Sequence, residues 1–195
     1  MINYVEQLTQ LLPPPPGQVA RPPWELSPEE VGFSFPADYR AFADSYGNGY
    51  IASRNSLRFR VRTPTSVPGR PGAPVGFSGL VDWHTSRISP LFSGWSEGEW
   101  GGRIYPMHPE PEGLLTWGEN EQGDLFWWLM EGNDPDAWPV IVWARGPATT
   151  YRFNFGMAKF LYSMLSGDDL GIGFGWIRSS QTRWTLTSDW LQRRI

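Results

Sequence analysis

The residues of this chain with types suited to chemistry are two histidines, His84 and His108, and a scatter of carboxylates that includes Asp124, Glu131, Asp134 and Asp136. A zinc site built on a helix needs two histidines one turn apart with a glutamate between them, and neither histidine sits in such a spacing. Cysteine is absent, which removes thiolate ligands and disulfides together. Serines and acids are plentiful, yet no Gly-x-Ser-x-Gly elbow follows a strand, so a Ser/His/Asp nucleophile is not expected. The runs Gly171-Ile172-Gly173-Phe174-Gly175 and Gly47-Asn48-Gly49 lack the six-residue patterns that cradle phosphates, and they read as turns. Paired acids beside tryptophans could serve sugar hydrolysis. The competing reading is that Asp124, Asp134 and Asp136 stand in turns because their side chains bond to nearby amides. That reading is preferred, with partner contact as a second role. No metal and no cofactor are expected.

The elements that would position these acids lie between Leu114 and Arg145. Apolar and aromatic runs of strand length alternate there with Gly, Asn, Asp and Pro clusters, the pattern of consecutive strands joined by tight turns. Tryptophans 117, 127, 128 and 138 fall in it, each able to bury roughly 150 to 250 Å². Trp117 and Trp138 are expected in the core, while Trp127 is a candidate for contact with a partner. Before this stretch, Asn3 to Leu12 predicts a short helix capped by Asn3, and Pro13 to Pro23 an extended linker. Ser27-Pro28-Glu29-Glu30 has the form of a capping box. Pro36 opens a helix whose stripe is Tyr39, Phe42, Ala43 and Tyr46, with Gly47 at its end. Leu57 to Arg62 alternates apolar with basic residues, as a half-exposed strand does. Thr63 to Glu112 turns to Pro, Gly and Ser with Trp83, Trp95 and Trp100, a long loop that those tryptophans are expected to pin to the domain. After the central strands, Ala148 to Phe153 suits a further strand. Asn154 to Ser166 suits a helix with Asn154 as its cap and Met157, Phe160, Leu161, Met164 and Leu165 as its stripe. The tail carries Phe174, Trp176, Ile177, Trp184, Leu186 and Trp190, and reads as strand followed by irregular chain.

A length of 195 residues suits one domain with a full core, and an apolar share of 40% rules out a wholly disordered chain. The formal charge of -4 offers no footprint for nucleic acid but suits a basic protein partner. Met1 to Glu6 lacks a secretory pattern, and no segment reaches the roughly eighteen apolar residues of a membrane span. The expectation is a soluble, cytoplasmic protein without membrane contact.

An ordered set of motifs carries more than composition does. Phe35-Pro36-x-x-Tyr39-x-x-Phe42-x-x-x-Tyr46-Gly47-x-Gly49 is followed by Gly113-Leu114-Leu115-x-Trp117-Gly118, then Gly123-Asp124-x-Phe126-Trp127-Trp128, then Asp134-Pro135-Asp136-x-Trp138-Pro139-Val140, and a helix ending Phe160-Leu161-x-x-x-Leu165-Ser166-Gly167. From Ser27 to Gly167 the chain resembles the SUKH superfamily, in the branch of the yeast cell-wall assembly regulator. The resemblance implies an α+β fold, a mainly antiparallel sheet with helices packed on one side, and no catalytic centre. It also implies an immunity protein that binds a cognate toxin, often a nuclease. The domain plan is then 1–26 as N-terminal helix and linker, 27–167 as the SUKH-like domain with the insertion 63–112, and 168–195 as a C-terminal extension on the same domain. Asp124, Glu131, Asp134, Asp136 and Trp127 are the candidate partner contacts. The alternatives are a carbohydrate-binding or carbohydrate-active protein using its Trp-rich loops, or a regulatory scaffold with no toxin partner.

Overall fold

Seven strands pair into one antiparallel sheet in the computed structural model, which describes residues 3–17, 19–53, 56–64, 76–96, 99, 103–172 and 182–186. They are β1 (Gly49–Ser53), β2 (Ser56–Val61), β3 (Leu114–Asn120), β4 (Leu125–Leu129), β5 (Val140–Ala144), β6 (Thr149–Phe153) and β7 (Thr182–Leu186). Their order across the sheet is β6-β5-β4-β3-β2-β1-β7. The first six therefore meander in chain order, and the C-terminal extension returns to pair β7 with β1, Trp184 opposite Ile51. With α-helices beside this sheet the fold class is α+β.

Strand residues alternate between faces, so a strand buried along its whole length requires cover on both sides. Strands β4 and β5 are buried at every position. Phe126, Trp128, Val140 and Val142 enter one apolar cluster, while Leu125, Trp127, Leu129, Ile141 and Trp143 enter another. The first cluster is closed by α1 (Tyr4–Leu11), α3 (Ala37–Tyr46) and the last helix, Met157–Ser166, here α5 because α2 (Ser27–Val31) and α4 (Gly76–Trp83) precede it. These three helices bring the stripes their spacing predicts: Leu8, then Tyr39, Phe42 and Tyr46, then Phe160, Leu161 and Leu165, all fully buried. The Tyr46 hydroxyl donates to the Leu12 carbonyl at 2.6 Å and ties the N-terminal segment to this core. Phe77 and Leu80 of α4 join the same cluster.

The second face is covered by the insertion. A wide π-type turn, His84–Ile88, and a tight turn, Ser89–Phe92, follow α4 directly, and Ile88, Phe92 and Tyr105 close over Trp127 and Trp143. Thus the segment expected as loop carries helical turns over 76–92. Trp95 is half-buried against this second cluster, and Trp83 packs there too while holding the Arg62 guanidinium 3.4 Å from its ring centroid. Trp100 and the tail residues Phe174, Trp176, Ile177 and Trp190 lie outside the described residues. Trp117 and Trp138 are in the core, at 0% and 4% exposure. No helix among the described residues is long and apolar enough to cross a membrane.

Helix starts differ from the local expectation in two places. Ser27 is the first residue of α2, not its cap, and its hydroxyl donates to the Phe33 carbonyl at 2.8 Å. Asn154 does not cap α5; its amide oxygen accepts from Arg152 Nε at 2.9 Å. The cap of α5 comes from α3: Asp38 Oδ2 accepts the Ala158 N–H at 2.9 Å, and Gly156 leaves room for that carboxylate. A substitute from elsewhere in the fold satisfies the same orphan donors that a local cap would. Asn3 does cap α1 as its position predicts, its side-chain oxygen accepting from the Glu6 N–H at 3.2 Å.

Candidate functional site

The five residues singled out as partner contacts fall into two groups. Asp124 is 3% exposed and Trp127 is 0% exposed, so neither is offered to a partner. The Asp124 carboxylate accepts from Asn120 Nδ2 at 2.7 Å and from the Arg145 N–H at 2.8 Å, bracing the β3–β4 turn against the end of β5. Trp127 points into the cluster that the insertion covers, because its neighbour Trp128 occupies the other face.

Glu131, Asp134 and Asp136 stay at the surface on the β4–β5 connection, and each does local work there. Glu131 forms a two-pronged pair with the Arg152 guanidinium, one bond being 3.2 Å. Asp134 caps the short turn Pro135–Ala137, accepting the Asp136 N–H at 3.0 Å. Asp136 accepts the Ala37 N–H at 2.5 Å and so caps α3, whose own N-cap residue, Pro36, makes no side-chain cap bond. Burial and the nearby Asp136 charge push the Asp38 carboxyl above its ordinary value, although its backbone hydrogen bonds pull the other way.

The connection that bears these acids is also one wall of a cleft of about 470 Å³. Val31 to Ser34, the exit of α2, forms the second wall, and His108 to Glu112 the third. Gly32 adopts φ of +83°, which turns the chain sharply enough to bring Phe33 to the cleft. The Phe33 ring meets His108 and Trp138 edge-on at 5.7 and 5.9 Å, and Met130 completes an apolar floor.

The third wall is pinned at both ends. The His108 N–H bonds the Leu114 carbonyl at 3.0 Å, the Leu114 N–H bonds the Pro106 carbonyl at 2.8 Å, and Gly113 N–H bonds the Glu110 carbonyl at 3.0 Å. A Cβ on Gly113 would lie 2.5 Å from the His108 nitrogen, so only glycine fits there. Inside this loop Glu112 is held at φ of +54°, a left-handed conformation that non-glycine residues seldom adopt. Glu110 and Glu112 are exposed and have no side-chain partner among the described residues.

Behind His108 lies the second histidine. His84 is fully buried; its Nδ1 takes the Thr116 N–H at 3.3 Å and lies 2.9 Å from the Thr116 hydroxyl, which leaves the ring proton on Nε2. Burial, then repulsion from His108, lowers it to about 4, and burial also lowers His108. Both rings are neutral at pH 7, so the cleft has uncharged aromatic walls under a carboxylate rim. Among the described residues no group of three or more His, Asp and Glu is placed to hold a metal ion.

Glu110, Glu112, Phe33 and His108 were not among the residues marked in the sequence as partner contacts. A signal for two of them was present. Glu110-Pro111-Glu112 repeats the acid-proline-acid pattern of Asp134-Pro135-Asp136, and both stand just before a strand. Of the tryptophans proposed as sugar platforms, none is exposed among the described residues. Compared with models of protein families, with curated proteins and with solved structures, the chain matches none of them.

Proposed function

We propose that this chain is a non-catalytic protein-binding domain of SUKH type, an immunity protein that neutralises a cognate nuclease-type toxin in the cytoplasm. The observation that carries this reading is the cleft of about 470 Å³ with an aromatic floor and, at its rim, the exposed carboxylates Glu110 and Glu112, which have no side-chain partner among the described residues. Enzymes that cleave nucleic acid must present basic surface to phosphates, and an acidic partner is drawn to that surface and blocks it. The adjoining β4–β5 connection carries Asp134 and Asp136 at the surface, and the whole chain is acidic at -4. Steering by such charge speeds encounter and selects a basic partner, while the apolar floor supplies contact area. Inhibition is steric and electrostatic, with no bond made or broken.

The test is co-expression with the toxin encoded beside it. Rescue of growth, and a complex that survives gel filtration at low salt and loosens as salt rises, is the expected outcome. Continued toxicity with no detectable complex overturns the reading.

A further inference from the structure

We propose that the cleft between Phe33, His108 and Trp138 receives an arginine side chain of the protein partner, its guanidinium lying on the aromatic floor and paired to Glu110 and Glu112. The inference rests on the reading of this chain as a protein-binding domain, and it names the chemistry that the cleft selects.

Three features choose arginine over other occupants. The half-buried Phe33 and His108 rings and the Met130 thioether, backed by the buried Trp138 ring, line the floor and carry no net charge. A planar, weakly hydrated guanidinium gives up water to such a surface more easily than a compact ammonium does. The rim then supplies two exposed carboxylates with no cation paired to them among the described residues, and a guanidinium has donors enough for both. Finally, the third wall is held in place before any ligand arrives: Gly113 admits no side chain, and hydrogen bonds close the loop at His108, Glu110 and Leu114. A rim fixed in advance loses little entropy on binding.

The protein already uses this chemistry internally. Arg62 lies with its guanidinium 3.4 Å from the Trp83 ring centroid and donates to the Glu119 carboxylate at 2.5 Å. An arginine is thus held there between one ring and one carboxylate. In the cleft the ring and the carboxylates are present and the arginine is to come from outside.

The experiment follows the indole N–H resonance of Trp138, identified by its loss in Trp138→Phe, while short capped peptides are added. The peptides share one sequence and differ at a single residue: arginine, lysine or citrulline, the last keeping arginine's shape without its charge. The arginine peptide is expected to shift the resonance saturably in the millimolar range, with citrulline weaker by about tenfold and lysine by about threefold. Glu110→Gln with Glu112→Gln, both at exposed positions, is expected to weaken the arginine peptide about tenfold. Equal binding of citrulline, lysine as tight as arginine, an unchanged affinity in the double variant, or no saturable shift each overturns the proposal. The same double variant separates the two claims. If it binds the toxin with undiminished affinity, the arginine site is wrong while the immunity reading stands. If the arginine peptide binds as described and the toxin does not, the site stands and the immunity reading falls.

Discussion

The two faces of the sheet bury equal kinds of residues by unequal means. On one face, helices of 8, 10 and 10 residues lay apolar stripes over Trp117, Phe126 and Trp128. On the other, one π-type turn and one tight turn set Ile88 and Phe92 over Trp127 and Trp143, and Tyr105 joins them from further along the insertion. Two of the helices are capped from elsewhere in the fold, α3 by Asp136 of the β4–β5 connection and α5 by Asp38 of α3. In the insertion, His84 ties the covering turns to the sheet, its ring bonding the strand backbone at Thr116. A strand does not record what covers it; the cover differs in how cooperatively it is held.

The sharpest way to break this comparison is to remove one aromatic ring from each face. Phe160 of α5 is fully buried against Trp117, Phe126 and Phe153. Phe160→Ala should cost roughly 3 to 5 kcal/mol in urea denaturation, the usual range for deleting a core aromatic side chain. Phe92 is 6% exposed on the insertion, where less regular chain can relax into the space, and Phe92→Ala should cost about half as much. Equal losses would mean the two covers are equally rigid.

Acid separates the faces next. The folded chain holds His84 at about 4, down from 6.5, so below pH 6.5 the unfolded chain takes up a proton that the folded chain refuses. The stability contributed by neutral His84 is complete above pH 6.5 and is lost as pH falls from 6.5 toward 4, a change on the order of 3 kcal/mol. Urea midpoints at pH 7.5 and 5.0 should show the loss, and His84→Gln should flatten it. An unchanged slope in that variant would remove His84 as the fastener of the insertion.

Asp38 sharpens the comparison with the opposite sign and the smallest effect. Its carboxyl is raised above 3.8 by burial, so the folded state favours the proton, and stability falls as pH rises from 3.8 through the raised value. Asp38→Ala should still cost about 1 kcal/mol, since it strips the cap from α5, while Asp38→Asn retains an acceptor and should cost less. Thermal denaturation of the pair at neutral pH checks this, and equal costs would show that charge, not the hydrogen bond, makes the cap.

Much of the fold was legible because its signals are local. The stripes at Tyr39, Phe42 and Tyr46, and at Phe160, Leu161 and Leu165, repeat with the helix period, and β3 to β5 are bounded by turn residues that announce themselves. Helix caps read less well. Ser27 and Asn154 satisfy the local pattern, yet Asp38 and Asp136 do the capping for α5 and α3, from 120 and 99 residues away. The acidic turn at Glu131 to Asp136 was visible as a candidate contact, whereas its partners in the cleft come from segments near Phe33 and Glu110 that no spacing rule connects.

By itself, the sequence determined the central strands and the helices at 4–11, 37–46 and 157–166, and which of their residues seek burial, because periodicity and turn chemistry act over a few residues, whereas the helical turns over 76–92 were not legible in it. Only the tertiary structure decided that Trp127 is hidden while Glu110 and Glu112 stand exposed in the cleft that Phe33 lines. That outcome depends on where the insertion lands. Its cover over the second face of the sheet is fixed by packing and by contacts such as that of His84 with Thr116, which form between distant segments only once the chain has folded.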